Sequence, residues 1–513
     1  MQFIKKYLFH RVTFFSVAIL IQLFVLIGVI LRFYDYFILF YGMNIFISIV
    51  AVFLIINNNM NPVYKLAWII PVVLLPIFGV LLYILFGGKK LGKRAKKKMQ
   101  SINEETTELL VPKNSTLQDI EFQSRIAANQ SRYIQNYANY PPYNNTFAEY
   151  FPSGEKKFAR LKEELTKAEK YIFLEYFIIE EGDMWNAILN ILVEKAAEGV
   201  EVRLIYDDLG CLMTLPHNYN KKLEKLGIKT AIFNPLKPIL SSKYNNRDHR
   251  KIAIIDGHTG FTGGINLADE YINKIEKHGH WKDTAIMIKG EAVWNMTVMF
   301  LSMWHYLKGI EENLEDFKYT AGELDVNLNK KDGYIQPFAD SPLDNEPVGE
   351  VVYLNMINKA QDYVYITTPY LIIDNEMVMA LTSAAKSGVD VRIITPHCPD
   401  KWYVHLVTRS YYKELIKSGV KIYEYTPGFI HSKTYISDDM YGVIGTINMD
   451  YRSLYLHFEC GVWLYNCNII KQMKNDFLKT LEVSQKIVNE DLNERKKRRA
   501  IGGSILRAFA PLM

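Results

Sequence analysis

The stretch "DHRKIAIIDGHTGFTGGIN" (Asp248–Asn266) decides the fold, because its pattern returns as "IHSKTYISDDMYGVIGTIN" (Ile430–Asn448). Both copies read His-x-Lys, four residues, Asp, then a Gly-rich turn ending in Asn. Taken as a strand, "HRKIAIID" puts His249 and Lys251 on one face and Arg250 on the other. Asp256 closes that strand at an Asp-Gly turn and is expected to buttress it. The glycines of "GGIN" allow close backbone approach, and Asn266 offers carboxamide donors. His431, Lys433, Asp438, Gly445 and Asn448 repeat the whole spacing.

Working outward, the copies sit inside a longer duplication. "KAEKYIFLEYFII" (167–179) is echoed by "KAQDYVYITTPYLII" (359–373), "AAEGVEVRLIYDD" (196–208) by "AAKSGVDVRIITP" (384–396), and "KLGIKTAIFNP" (225–235) by "KSGVKIYEYTP" (417–427). The offsets stay between 182 and 194 residues, so the order of elements is shared as well as the composition. Short β-branched runs between helical patterns predict an α/β fold, with each sheet covered by helices on both faces. The Gly in "AEGVEV" and "KSGVDV" stands where a helix end needs a left-handed residue. The period is far above solenoid length, which makes this a tandem duplication of a domain.

An imidazole, an ammonium and a carboxamide on one face form a site for an anion with a nucleophile in it. Phosphoryl chemistry needs such a site: charge on the non-bridging oxygens, a nucleophile, and a proton donor for the leaving oxygen. A single His-x-Lys on a strand is commonplace. Two copies matched at five polar or Gly positions, within halves that already align, are not.

The ends of the chain point to a membrane. "VTFFSVAILIQLFVLIGVIL" (12–31) carries no charge over twenty residues, enough for a helix to cross a hydrocarbon core of ~30 Å. "FILFYGMNIFISIVAVFLII" (37–56) and "LAWIIPVVLLPIFGVLLYILFG" (66–87) are similar. Seven Lys/Arg in "GGKKLGKRAKKKM" (87–99) place the body of the protein on the cytoplasmic side of a multi-pass anchor. Lys5, Lys6 and Arg11 pull the N-terminus to the same side, and three crossings cannot satisfy both. Either the block holding Pro71 and Pro76 is re-entrant, or the weaker cluster loses. At the other end, "NERKKRRAIGGSILRAFAPLM" (493–513) suits an interfacial helix on anionic lipid or a solvated tail. Across its 513 residues the chain has a net charge of +5, too little to argue for nucleic acid, and Cys211, Cys398, Cys460 and Cys467 show no metal-like spacing and no disulfide framework.

The paired motifs resemble the phospholipase D superfamily, whose two H-x-K-x4-D motifs meet between two similar domains. "HRKIAIIDG…GGINLADEY" and "GTINMDYRSLYLHFECGVW", together with the N-terminal blocks, are similar to the bacterial cardiolipin synthases. Two departures stand out: Thr446 where Ser is common, and His457 where Asn is often seen. The resemblance implies two phospholipase D-like domains related by a pseudo-two-fold (149–325 and 326–485), after a membrane segment (1–88) and a basic linker (89–148), with a basic amphipathic tail (486–513). It implies a phosphatidyl-histidine intermediate, with His249 as nucleophile and His431 as acid, and one neutral and one protonated imidazole. Lys251, Lys433, Asn266 and Asn448 would hold phosphate oxygens, with no metal or other cofactor. Asp256 and Asp438 complete the two motifs. Asp283, 34 residues after His249, and Glu459, 28 after His431, are the candidates for orienting the histidines. The expected partners are phosphatidylglycerol and anionic membrane lipid, giving cardiolipin and glycerol. The rival is a membrane-bound phospholipase D releasing phosphatidic acid, since only the acceptor differs. A nuclease would want a soluble chain with a basic track along its surface.

Overall fold

A computed structural model describes residues 37–58, 60–87, 93–110, 114–236, 242–319 and 332–488, with parts of 20–32 and 502–512. Each half is built on a mixed sheet. In the first half the strands are β1 (Thr146–Phe151), β2 (Tyr171–Tyr176), β3 (Glu201–Asp207), β4 (Lys229–Phe233), β5 (Arg247–Asp248), β6 (Lys251–Ile255), β7 (Thr259–Gly263), β8 (His280–Lys282) and β9 (Ala285–Gly290). In the second they are β10 (Tyr334–Asp340), β11 (Tyr363–Thr367), β12 (Leu371–Ile372), β13 (Asp390–Pro396), β14 (Lys421–Tyr425), β15 (Gly428–Ile430), β16 (Thr434–Ser437), β17 (Tyr441–Gly445), β18 (Met449–Asp450), β19 (His457–Tyr465) and β20 (Ser484–Lys486).

The sheet orders are β1-β9-β7-β6-β2-β3-β4 and β10-β19-β17-β16-β11-β13-β14-β20, so the duplication seen in the sequence is a duplication of topology. β2, β3 and β4 run parallel, as do β11, β13 and β14, each connected through a helix. The helices Gly154–Thr166 and Asp183–Ala197 cover the outer face of the first sheet, burying Leu161, Trp185 and Ile188. Helices Val348–Lys359, Asn375–Lys386 and Trp402–Lys417 do the same for the second.

The inner faces share one core, in which Ile252, Ile254, Ile286 and Ile288 join Ile436, Ile444, Val462 and Leu464. Helices Val293–Lys308 and Ile469–Glu482 add Met296, Phe300, Ile470 and Phe477 to it. Helices thus lie on both faces of each sheet, as the sequence predicts, but part of each inner face packs against the other half. Those inner residues alternate with outward ones along each strand. The halves therefore fix each other's position through apolar burial.

The N-terminal region differs from the sequence expectation. The third apolar block is two short helices, Pro62–Leu74 and Pro76–Phe86, broken at Leu75. Pro71 and Pro76 explain the break: neither ring nitrogen can donate, and the residue before a proline avoids the helical region. A Cβ on Gly79 would stand 2.2 Å from the Pro71 carbonyl oxygen, so the glycine lets the two helices close on each other. Before them runs the helix Phe37–Ile56. Among the described residues no helix is long and apolar enough to cross a membrane. The first block, 12–31, lies largely outside the described residues.

The stretch read as a linker is helical and packed: Ile120, Ala127 and Ala128 are buried in the second half's core, and Met99 in the shared one. Of the C-terminal tail, 489–501 lies outside the described residues. Its last turn docks on the body, with Arg507 4.0 Å from the Tyr411 ring and Leu512 against the second half's core. All four cysteines are free.

Candidate active site

His249 and His431 stand at matched positions, just ahead of β6 and β16. What holds them comes from the opposite half. β5 pairs in parallel with the start of β19, and the His249 N–H donates to the Phe458 carbonyl at 2.9 Å. β15 pairs in parallel with β8, and the His431 N–H donates to the Lys282 carbonyl at 2.7 Å. These two exchanges are equivalent under the pseudo-two-fold, and each delivers a carboxylate across the interface. His249 Nδ1 lies 2.9 and 3.0 Å from the Glu459 oxygens, and His431 Nδ1 lies 2.7 Å from Asp283 Oδ2. Both carboxylates are fully buried. Each imidazole is thus paired with the acid of the other half, a crossing that position along the chain does not reveal.

The two acids are held differently, and the Gly-rich turns explain how. Asp283 accepts the Thr284 N–H at 2.8 Å, and a Cβ at Gly264 would stand 2.1 Å from its Oδ1. Gly264 therefore leaves room for the carboxylate. At the equivalent place in the second half stands Thr446, whose hydroxyl donates to Glu459 at 2.5 Å; the Ser453 hydroxyl donates to the other oxygen at 2.5 Å. The departure from Ser at 446 keeps the hydroxyl that the acid uses. Ser453 carried no signal of its own in the sequence beyond its place in "DYRS".

Lys251 and Lys433 each donate to the carbonyl of their own histidine, Lys251 at 2.5 Å. Burial pulls their ammonium groups down, to about 8 for Lys251 and about 7 for Lys433. Burial, and then the charges of Lys251, Lys433 and His431, push the His249 imidazole well below its ordinary value. Burial and Lys433 push His431 down to about 4, against the pull of Asp283. Burial and lysine charge thus favour the neutral form of both rings in the empty site, and at His431 the Asp283 carboxylate works against them. An incoming phosphodiester brings the negative charge that offsets the lysines. The rings are walled by Phe177, 5.0 Å from His249, and by Trp281, Tyr271 and Phe429 around His431.

The asparagines differ. Asn266 Oδ1 accepts the Ile178 N–H at 3.0 Å, and its Nδ2 donates to the Tyr271 hydroxyl at 2.7 Å, so both ends of its carboxamide are engaged. Asn448 Oδ1 is buried without a hydrogen-bond partner among the described residues. Asp256 and Asp438 stand at the far ends of β6 and β16 from the histidines. Asp256 accepts the N–H groups of Glu169, Lys170 and Tyr171 at 2.8 Å each. Asp438 accepts those of Gln361, Asp362 and Tyr363 at 2.9 to 3.0 Å. Both have positive φ in their turns, as do Gly257 and Asp439 after them, the pairing a type I′ turn requires. Although they complete the two motifs, these aspartates stand apart from the catalytic groups and tie the start of β2 and β11 to the motif strand, the buttressing role expected of them.

His457, the second departure, lies beside this centre. Its ring is 5.6 Å from His249 and its Nδ1 is 3.7 Å from Glu459 Oε1. His249, His457 and Glu459 are the group among the described residues whose ligating atoms come within 4.8 Å of one another. Glu459 already accepts from an imidazole and two hydroxyls, which suits a hydrogen-bonded network with a second imidazole next to it.

The cardiolipin synthase PLD-like domain family matches residues 161–304 and 353–481, and the phospholipase D-nuclease N-terminal family matches 46–88. The chain belongs to the cardiolipin synthase family. Similar relatives include a cardiolipin synthase of a Geobacillus species, 36% identical over 92% of this chain and 94% of its own length. A cardiolipin synthase of Halalkalibacterium halodurans is 35% identical over 92% and 93%. An uncharacterized protein of Streptococcus mutans is 44% identical over 90% of this chain and 99% of its own. The crystal structure of phosphatidylserine synthase from Haemophilus influenzae shares the fold, at 16% identity and a TM-score of 0.57 over 75% of this chain and 97% of that one. In the cardiolipin synthase family's terms, the two matched segments each contain one His-x-Lys motif, and the shared interface is where their acids cross.

Proposed function

We propose that this chain is a cardiolipin synthase that moves the phosphatidyl group of one phosphatidylglycerol onto a hydroxyl of a second, releasing glycerol. The observation that carries this reading is the exchange of acids: each imidazole is held through Nδ1 by a buried carboxylate of the other half. Nε2 is then the nitrogen left for chemistry on both rings. Two such groups facing one space supply a nucleophile and a proton donor for a single phosphorus centre.

His249 is the nucleophile. Its Nε2 attacks phosphorus, and the bond to the glycerol oxygen breaks. His431, which takes up a proton at Nε2 when the phosphodiester's negative charge enters and offsets the lysines, gives that proton to the glycerol oxygen, and glycerol leaves. His431, now neutral, takes the proton from a hydroxyl of the second phosphatidylglycerol; that oxygen attacks phosphorus and the P–N bond breaks. The assignment follows the electrostatics. Burial and lysine charge lower both imidazoles, and at His431 Asp283 opposes them. Lys251, Lys433 and the Nδ2 amide of Asn448 hold the non-bridging oxygens. Asn266 acts indirectly, by fixing Tyr271 against His431.

The membrane hairpin keeps this centre at a bilayer of the bacterial plasma membrane, with the catalytic body cytoplasmic. There the lipid hydroxyl competes with water through its local concentration. A hairpin that enters and leaves on one side agrees with basic clusters on one side at both ends of the anchor. In vesicles of phosphatidylglycerol the purified protein should release glycerol and cardiolipin in equal amounts, and added glycerol should reverse the reaction. Phosphatidic acid as the main product, with no reversal, would replace this reading with a phospholipase D.

A further inference from the structure

The two helices Pro62–Leu74 and Pro76–Phe86 do more than sit beside the body. Asn61, which caps the first, donates through Nδ2 to Asp374 and to the Tyr455 hydroxyl, both at 3.0 Å. Tyr64 donates to the Tyr451 carbonyl at 3.3 Å. At the other end, the Phe86 carbonyl accepts from Asn245 Nδ2 at 3.1 Å. The hairpin is therefore fastened to both halves, next to the segments that carry the site: Asn245 is close ahead of His249, and the helix Tyr451–Tyr455 follows Asn448.

Between these fastenings lies a cavity of about 300 Å³. Its walls are Trp68, Leu82 and Phe86 of the hairpin, Leu456 and Leu512 of the body and tail, and its charged member is Arg452. The guanidinium reaches toward the Asn245 carbonyl, 3.5 Å from Nη2. Its charge also bears on His457, helping burial to push that imidazole down to about 3, and His457 is the ring beside His249. The cavity thus joins an apolar wall supplied by the hairpin to a cation whose charge reaches the ring beside His249. Outside it the hairpin presents Leu66, Leu74 and Ile84, all more than half exposed, to its surroundings.

We propose that this cavity is the passage by which a phospholipid reaches the histidines from the bilayer, its phosphate against Arg452 and the upper part of its acyl chains along Trp68, Leu82 and Phe86. Arginine suits this place because its planar fork binds phosphate oxygens while keeping other hydrogen bonds. The volume admits the glycerophosphate end and the first carbons of the chains, so the remainder stays in the bilayer. A substrate that leaves its chains in lipid avoids most of the cost of exposing them to water. The proposal rests on the reading of the protein as an enzyme of phospholipids.

The test uses the full chain in vesicles of phosphatidylglycerol carrying a diazirine on the acyl chain near the glycerol. On irradiation, peptide mapping should find adducts at Trp68, Leu82 or Phe86, and Leu82→Trp, which fills the cavity, should lower them severalfold. Arg452→Gln should raise KM for vesicle substrate severalfold. Leu82→Trp should lower the ratio of kcat/KM on long-chain over short-chain, water-soluble phosphatidylglycerol at least severalfold. Adducts confined to Leu66, Leu74 and Ile84, or an unchanged chain-length ratio, would overturn the passage. Product analysis of the unmodified enzyme separates the two readings: phosphatidic acid in place of cardiolipin removes the synthase and leaves the labelling to judge the passage.

Discussion

At the scale of single residues, the site depends on how many donors each acid accepts. Glu459 has two oxygens taken by the His249 ring and the hydroxyls of Thr446 and Ser453. Thr446→Val keeps the shape and removes one donor from a buried carboxylate, a loss on the order of 1–3 kcal/mol. It should lower both thermal stability and kcat, whereas Thr446→Ser should keep both; equal activity in the two variants would show that the hydroxyl does not matter. Glu459→Gln and Asp283→Asn should each fold and lose a few powers of ten in kcat, as for other buried acid–His pairs. The lysines set the pH dependence. With Lys433 pulled down to about 7 and Lys251 to about 8, each is charged below its value and neutral above it. kcat/KM should therefore fall as pH rises through about 7 to 8. Lys433→Arg, which stays charged, should move that limb upward if the variant remains active. An alkaline limb unmoved in an active Arg variant would place the titration elsewhere.

Elements explain what the sequence revealed and what it withheld. The strands β6 and β16, the His-x-Lys steps that lead into them and the turns closed by Asp256 and Asp438 follow from alternation and turn chemistry, both local. The acids were visible as candidates, yet which histidine each serves was not, because β5–β19 and β8–β15 pair between halves more than 140 residues apart. Tyr271 and Ser453 were invisible for the same reason: their roles exist only through contacts made on folding. The motif aspartates share a spacing with the histidines but not their task, and the turn they close is what made their buttressing role legible. Asp256→Ala should remove three charge-assisted hydrogen bonds from the start of β2, costing about 1.5–3 kcal/mol or more. The variant should unfold at lower denaturant concentration while each folded molecule keeps most of its kcat. Abolished turnover in fully folded Asp256→Ala would return the residue to the chemistry.

For the whole molecule, the duplication and the apolar N-terminal blocks were legible as patterns, but the docking of one on the other was not. That contact is polar at one end. The Tyr455 hydroxyl lies 2.6 Å from Glu350 and 2.7 Å from Asp374, and Asn61 joins the same cluster. Burial, then the hydrogen bond and charge of Asp374 with a smaller push from Glu376, raises Glu350 to about 9, so the two carboxyls share one proton at neutral pH. A carboxyl whose folded value is raised binds more protons folded than unfolded between its ordinary range and about 9. Its contribution to stability is therefore complete at acidic pH and is lost as pH rises toward about 9. Above that, two neighbouring negative charges face each other beneath Asn61, and the hairpin should loosen from the body. Hydrogen exchange of the peptides spanning 61–86 should accelerate between pH 6 and pH 9 by more than the chemical rate accounts for. Glu350→Gln, neutral at every pH, should flatten that excess; an excess of the same size in the variant would assign the loosening to another group.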